Sequence, residues 1–410
     1  MMGWHLRTRA SRRRLALPEG AAFWSVAAAF IVMMLGTTLP TPLYVLYQAD
    51  FGFSTLMVTV VFATYAVGVV AALLFYGDVS DVVGRRRVLL GGCALSLTGS
   101  AVFLLAQDLG MLFLGRVLSG LSAGLVTGTA TAAIVDLRGT RRTSRASLVA
   151  TVAQMGGLGA GPLLAGVLAA SAPEPLRLPY AVHLTLLLLT GLGVWFMPEP
   201  VAPVRRWAPP RRTRPTVPRA MRGVFVRSAV AGFAGFAVLG LFTAVAPTFL
   251  RELLGVRSPS VVGGVVCAVF AASTVGQVGL VPVLGRRAVP VGCGGLIVGM
   301  AVLTGGFLAE SLGALLAGGL LAGLGQGVSF RAGLADVNAA APAAHRADVA
   351  SSFFTVLYVA LAVPVVGVGL LAGLVGIRTA GVAFSLAVAL LAGWALVAVL
   401  RSRAPGPDGA

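Results

Sequence analysis

Long apolar runs, each close to the length of a bilayer crossing, alternate along this chain with short polar stretches crowded with arginine. A spanning helix needs about 20 residues at roughly 1.5 Å each. Cutting the sequence on that length gives twelve segments: 21–47, 56–76, 87–107, 110–135, 146–170 and 179–198, then 223–249, 260–283, 288–309, 312–336, 347–372 and 376–400. Between the two sets of six lies Glu199 to Arg222, rich in Pro and Arg, which predicts an extended linker. The pattern predicts an all-α membrane protein with a tail over 1–20, a six-helix bundle over 21–198, a linker over 199–222, a second bundle over 223–400 and a tail over 401–410.

The two halves repeat. Gly84-Arg85-Arg86 returns as Gly285-Arg286-Arg287, Leu109-Gly110 as Leu312-Gly313, and Pro162 as Pro364, at offsets that agree within two residues. Such agreement predicts two pseudo-symmetric bundles, an arrangement in which transporters place their site between the repeats.

Composition fixes the solvent. With 58% hydrophobic and only 11% charged residues, the chain is far more apolar than a soluble domain, where about a quarter of residues are charged. A formal net charge of +18 would suggest nucleic acid in a soluble protein, but here the charge reports topology. Every one of the 31 basic residues is an arginine, and all but six fall on one side of the predicted spans. The exceptions are Arg177, Arg251, Arg257 and Arg378 on the opposite side, and Arg116 and Arg331 inside helices. Positively charged loops stay cytoplasmic, so both termini are expected in the cytoplasm, and the chain is placed in a bacterial cytoplasmic membrane. Cys93, Cys267 and Cys293 sit inside apolar runs at spacings that suggest neither a metal site nor a disulfide framework. No metal and no cofactor is expected.

The most specific stretch is Gly77 to Arg87, which reads GxxxDxxGRR between the second and third spans. There the chain resembles the major facilitator superfamily of secondary transporters. That resemblance implies alternating access, with Asp81 latching the two halves closed on the cytoplasmic side, when the transporter faces outward, by engaging the start of the eleventh helix, near Arg346 to Ala350. The expected cytoplasmic gate comprises Gly77, Asp81, Gly84, Arg85, Arg86, Asp136, Arg331 and Asp336, with Asp136 paired to the turn. Pro282 stands where a second copy of Asp81 would be, so the latch is expected to be one-sided.

Two further stretches resemble motifs of that family. Arg116, followed by Gly120 and Gly124, resembles its fourth-helix motif, and lies about six residues, roughly 9 Å, inside its helix. An intramembrane cation is a candidate functional group, here as a contact for substrate or for proton-linked charge. Gly157, Gly161, Pro162 and Gly166 resemble GxxxGPxxGG, with Ala165 replacing one Gly. That pattern implies the antiporter branches and a smooth, kinked face against the other half. Pro-interrupted polar residues in the first helix, Thr38, Thr41 and Tyr44, together with Tyr65, Gln154, Gln277, Gln326 and Tyr358, are the expected substrate or proton path, because buried polar groups need partners.

No Asp, Glu or His falls at the middle of the first, seventh, eighth or eleventh span; His183 is expected near the outer interface. Proton exchange would then use Asp78 or a peripheral acid, or be absent, and the cargo is expected to be neutral, lipophilic or anionic. The sequence supports a transporter of a small organic molecule, exchanged for protons as efflux, acting as a monomer in lipid. Metabolite uptake by symport or facilitated diffusion is the alternative, and a transporter-like sensor or scaffold is the alternative from another class. Clustered catalytic side chains and a Walker-type phosphate loop are both missing, which argues against an enzyme or an ATP-driven pump.

Overall fold

The computed structural model describes residues 17–77, 79–138, 143–171, 173–200 and 216–402. Most of both tails, most of the expected linker and Asp78 lie outside these residues.

Twelve long helices account for the described chain. They are α1 (Glu19–Phe51), α2 (Thr55–Tyr76), α3 (Arg85–Leu104), α4 (Leu109–Asp136), α5 (Thr143–Ser171), α6 (Leu178–Trp195) and α7 (Arg219–Glu252). Then come α8, which begins as Pro259–Val275 and continues to Leu284, α9 (Ala288–Leu308), α10 (Leu312–Ala340), α11 (Arg346–Val375) and α12 (Ile377–Arg401). The apolar helical stretch Pro259–Leu308 is 50 residues long, about 75 Å at 1.5 Å per residue and more than two bilayer cores. It turns at Gly285, whose φ of 50° breaks the rod into α8 and α9.

Local chemistry sets the ends. Ser54, Asp108 and Ser311 cap α2, α4 and α10, their side-chain oxygens accepting from the amides of Met57, Met111 and Ala314 at 3.3, 2.9 and 3.3 Å. Each bond satisfies one amide that the first turn leaves free. The caps of α4 and α10 stand at equivalent places in the two halves, extending the sequence repeat to helix starts. In α7 and α8, π-helical segments at Leu241–Val245 and Gly276–Leu280 each precede a proline, Pro247 and Pro282. Wide turns of this kind absorb a residue that cannot donate to the helical ladder.

Packing divides the helices into two bundles of six. In the first, α4 packs on α1, α2 and α3, and α6 on α1 and α3; in the second, α10 packs on α7, α8 and α9, and α12 on α7, α9 and α11. The bundles meet mainly where α5 lies on α8 and, as its symmetric counterpart, where α2 lies on α11. The linker boundaries shift slightly from expectation. Arg219–Met221 already forms a helical turn that leads into the seventh span, and Glu199 is tied to the first bundle, as described below.

Candidate functional site

A cavity of about 670 Å³ lies between the bundles. Its floor is built by Gln154 of α5, Gln277 of α8 and Tyr358 of α11, and its mouth by Asp136, Ser147, Asn338 and Ala350 at the ends of α4, α5, α10 and α11. The mouth is therefore on the face that carries both GRR turns. Past the floor, a void of about 50 Å³ shares Gln154 and Tyr358 and adds Thr38 and Tyr65. Tyr65 and Tyr358 meet edge to face across the bundles, with ring centroids 6.3 Å apart.

The opposite end is closed by close approach of the helices at glycines. A Cβ on Gly263 of α8 would collide with the Pro162 carbonyl, one on Gly166 with Pro259, and one on Gly369 of α11 with Thr59 of α2. Ser260 Oγ donates to the Gly166 carbonyl at 3.1 Å, and Arg251 to the Val45 carbonyl at 3.4 Å, both across the bundles.

At the arginine face, the Gly77 to Arg87 turn holds a charge network. Arg85 reaches Asp81 at 2.6 Å and Asp136 at 3.3 Å, and donates to Ser80 Oγ at 2.5 Å. Asp81 is largely exposed, and its ion pair is with Arg85, not with the start of α11. Gly77 is exposed at the end of α2, and Arg86 lies over the Trp195 ring at 5.7 Å. The sequence reading missed Glu199. Its carboxylate accepts from the backbone amides of Arg85 at 2.7 Å and Arg86 at 3.2 Å, so it caps α3 from the far end of α6. A negative charge at a helix N-terminus is favourable. Gly84 allows this for two reasons: its φ is 105°, and an added Cβ would sit 2.6 Å from the Glu199 carboxylate. An acid after a span's last tryptophan carries no local sign that it will cap another helix.

Several expected path residues are elsewhere. Arg116 is fully buried inside the first bundle and does not line the cavity. Its Nη1 donates to the Thr37 carbonyl at 2.6 Å, and its guanidinium lies 5.1, 5.9 and 5.8 Å from the rings of Tyr44, Phe62 and Phe103. Such faces attract a cation by about 0.5–2 kcal/mol each, and three of them enclose this one. Thr41 and Tyr44 are both buried, and neither lines the cavity. Gln326 stands behind the cavity wall, where its Oε1 accepts from Ser273 Oγ at 2.5 Å, and Ser273 Oγ in turn accepts from Gln277 at 3.2 Å. Asp336 borders a groove with Val224, Arg227 and Val399 on another side of α10. His183 lies inside the first bundle. It is fully buried, its ring nitrogens bonding Ser100 Oγ at 2.7 Å and the Val32 carbonyl at 2.9 Å, in space that only a glycine at 36 leaves open.

The fifth-helix motif divides between two neighbours. Gly157 and Gly161, four residues apart and so on one face, abut the Ile31 and Leu35 carbonyls of α1, within their own bundle. The face toward the other bundle is made by Gly159, the Pro162 carbonyl and Gly166. Pro162 has no amide to donate, which frees the carbonyl of Leu158 one turn earlier. Thr38 Oγ1 donates to that carbonyl at 2.7 Å.

Arg331 does face the cavity. Its Nη1 crosses from α10 to Thr151 Oγ1 of α5 at 3.3 Å.

A sequence profile of the Major Facilitator Superfamily matches residues 26–364. The multidrug resistance protein MdtL of Escherichia coli is 35% identical over 97 residues, 24% of this chain and 25% of that protein. The D-xylose-proton symporter-like 2 protein of Arabidopsis thaliana is 31% identical over 125 residues, 29% of this chain and 24% of that protein. The chain thus spans about a quarter of the length of the curated relatives it matches. Among solved structures, a bacterial homologue of the human lysosomal transporter Spinster, in an inward-facing and unoccupied conformation, superposes with a TM-score of 0.72. It is 13% identical, over 95% of this chain and 99% of that one.

Proposed function

The chain belongs to the major facilitator superfamily, and from that premise we propose that it carries a small organic molecule across the bacterial cytoplasmic membrane by alternating access. The observation that carries this reading is the cavity between the bundles, with its mouth at the arginine face and its far end closed along α5 on α8 and α2 on α11. By the positive-inside rule that face is cytoplasmic, so the molecule stands in an inward-open state. In the outward-open state the mouth closes, Asp81 leaves Arg85 for the amides at the start of α11, and the far-end contacts part.

We assign the direction as efflux by proton antiport, on the fifth-helix motif and the likeness to MdtL. Asp136 is the acid in the cavity lining and the group we place on the proton route. Uptake by symport is the second reading, favoured by the likeness to the sugar symporter-like protein. We take the working unit to be one chain in lipid. Substrate fluxes in right-side-out and inverted vesicles, each under an imposed pH gradient, test both readings. Proton-driven entry into inverted vesicles supports efflux, entry into right-side-out vesicles supports uptake, and gradient-independent equilibration refutes coupling.

A further inference from the structure

Arg331 lies nine residues before the end of α10 at Ala340, about 14 Å into the helix at 1.5 Å per residue. It lines the cavity about two and a half turns inside the helix end. Two charged side chains line this cavity, Asp136 and Arg331. The Asp136 carboxylate is engaged by Arg85 of the turn at 3.3 Å, and Arg331 has no ion pair among the described residues. Its side-chain partner is the neutral hydroxyl of Thr151 at 3.3 Å, whose own proton is directed to the Ser147 carbonyl at 3.0 Å in the helical i to i−4 manner. A guanidinium offers five donors in a planar fork, and among the described residues only Nη1 has a hydrogen-bond partner. Beside it stand Phe330 and Phe354, ring centroids 6.3 Å apart, and Tyr358. A lone cation on a partly desolvated wall next to aromatic faces is complementary to an amphipathic anion.

We propose that Arg331 selects the cargo, and that the cargo is an organic carboxylate with an aromatic or similarly flat apolar body: the carboxylate takes the guanidinium fork in two parallel bonds and the body lies on the phenylalanines. The anion contact anticipated at Arg116 moves to Arg331, because Arg116 is enclosed in its own bundle while Arg331 faces the cavity. This inference rests on the cavity being the substrate site.

The test uses the full chain in nanodiscs and calorimetric titration with matched triples: benzoate, 2-naphthoate and 1-pyrenecarboxylate, each beside its amide and its aminomethyl analogue. The expected result is that at least one carboxylate binds tenfold or more tighter than its amide and aminomethyl counterparts, as a charge-assisted bond implies. Arg331→Gln should remove that preference, and Arg331→Lys should keep part of it. Size-exclusion profiles check that each variant is folded; if Arg331→Gln is not, the loss expected of Arg331→Lys, severalfold on the carboxylates and none on the amides, carries the test. Equal or tighter binding of the amides or amines, or a carboxylate preference that survives Arg331→Gln, overturns the anion assignment and leaves the transport reading standing. No binding by any member overturns the anion assignment and counts against the cavity as a substrate site.

Discussion

Gly263→Ala adds one methyl group at the tightest backbone approach between the bundles. The new Cβ would meet the Pro162 carbonyl oxygen well inside contact distance, the carbonyl carbon at 2.8 Å and Leu163 Cα at 3.1 Å. All three are main-chain or Cα atoms, so no side-chain rotation relieves the clash, and α8 must move away from α5. Overpacking of this kind costs about 1–3 kcal/mol. In the proposed cycle that cost falls only on the state in which this end is closed, because the contact parts in the other state. The equilibrium should therefore shift toward the opposite opening by roughly 5- to 150-fold. The assay is thiol labelling with a membrane-impermeant maleimide in a background lacking Cys93, Cys267 and Cys293. Thr131→Cys in the cavity should label more slowly from the arginine face, and Val45→Cys at the far end faster from the other. Gly264→Ala is the control, since nothing lies within 4 Å of its added Cβ. Unchanged labelling in Gly263→Ala, or an equal change in Gly264→Ala, would refute the reasoning.

Glu199→Gln removes the charge that caps α3 and should lower thermal stability by about 1–2 kcal/mol; a melt in detergent reads it. Gly84→Ala should be at least as damaging, and a double-mutant cycle with Glu199→Gln should be non-additive, because both changes act on one contact. Thr38→Val leaves the Leu158 carbonyl without its donor and is expected to destabilise by about 1–3 kcal/mol, with additive energies alongside a distant change such as Glu199→Gln as the check. Asp81→Asn should slow transport while leaving membrane insertion and the melting profile close to wild type; full transport by that variant would remove the latch from the mechanism.

The twelve spans were legible because apolar length is a direct consequence of the bilayer, and the Arg85 to Asp136 pairing followed from two charges sharing one membrane face. The two-bundle repeat was legible through Gly84, Gly285, Pro162 and Pro364. What local patterns could not supply was the partner on another helix. Glu199 caps a turn more than a hundred positions away in sequence, and Gly157 and Gly161 face α1 while Gly159 faces α8, although all are glycines on one helix. A buried arginine announces itself by its cost, yet only the packing tells that Arg116 is closed in by rings and that Arg331 is open to the cavity. Intramembrane polarity marks candidates; orientation decides among them.

The hydrogen bond from Thr38 to Leu158 determines where this molecule can come apart. A proline in α5 left one acceptor unfilled, and α1 filled it, so in the proposed cycle those two helices are expected to travel as one body. On its other flank α5 meets α8 through glycine against a main-chain carbonyl, and among the described residues the side-chain hydrogen bond across that contact is the one from Ser260 at the rim. Sliding there breaks little, whereas shearing α1 from α5 breaks a bond in hydrocarbon. One imino acid thus draws the slip plane, making one flank of its helix a joint and the other a weld.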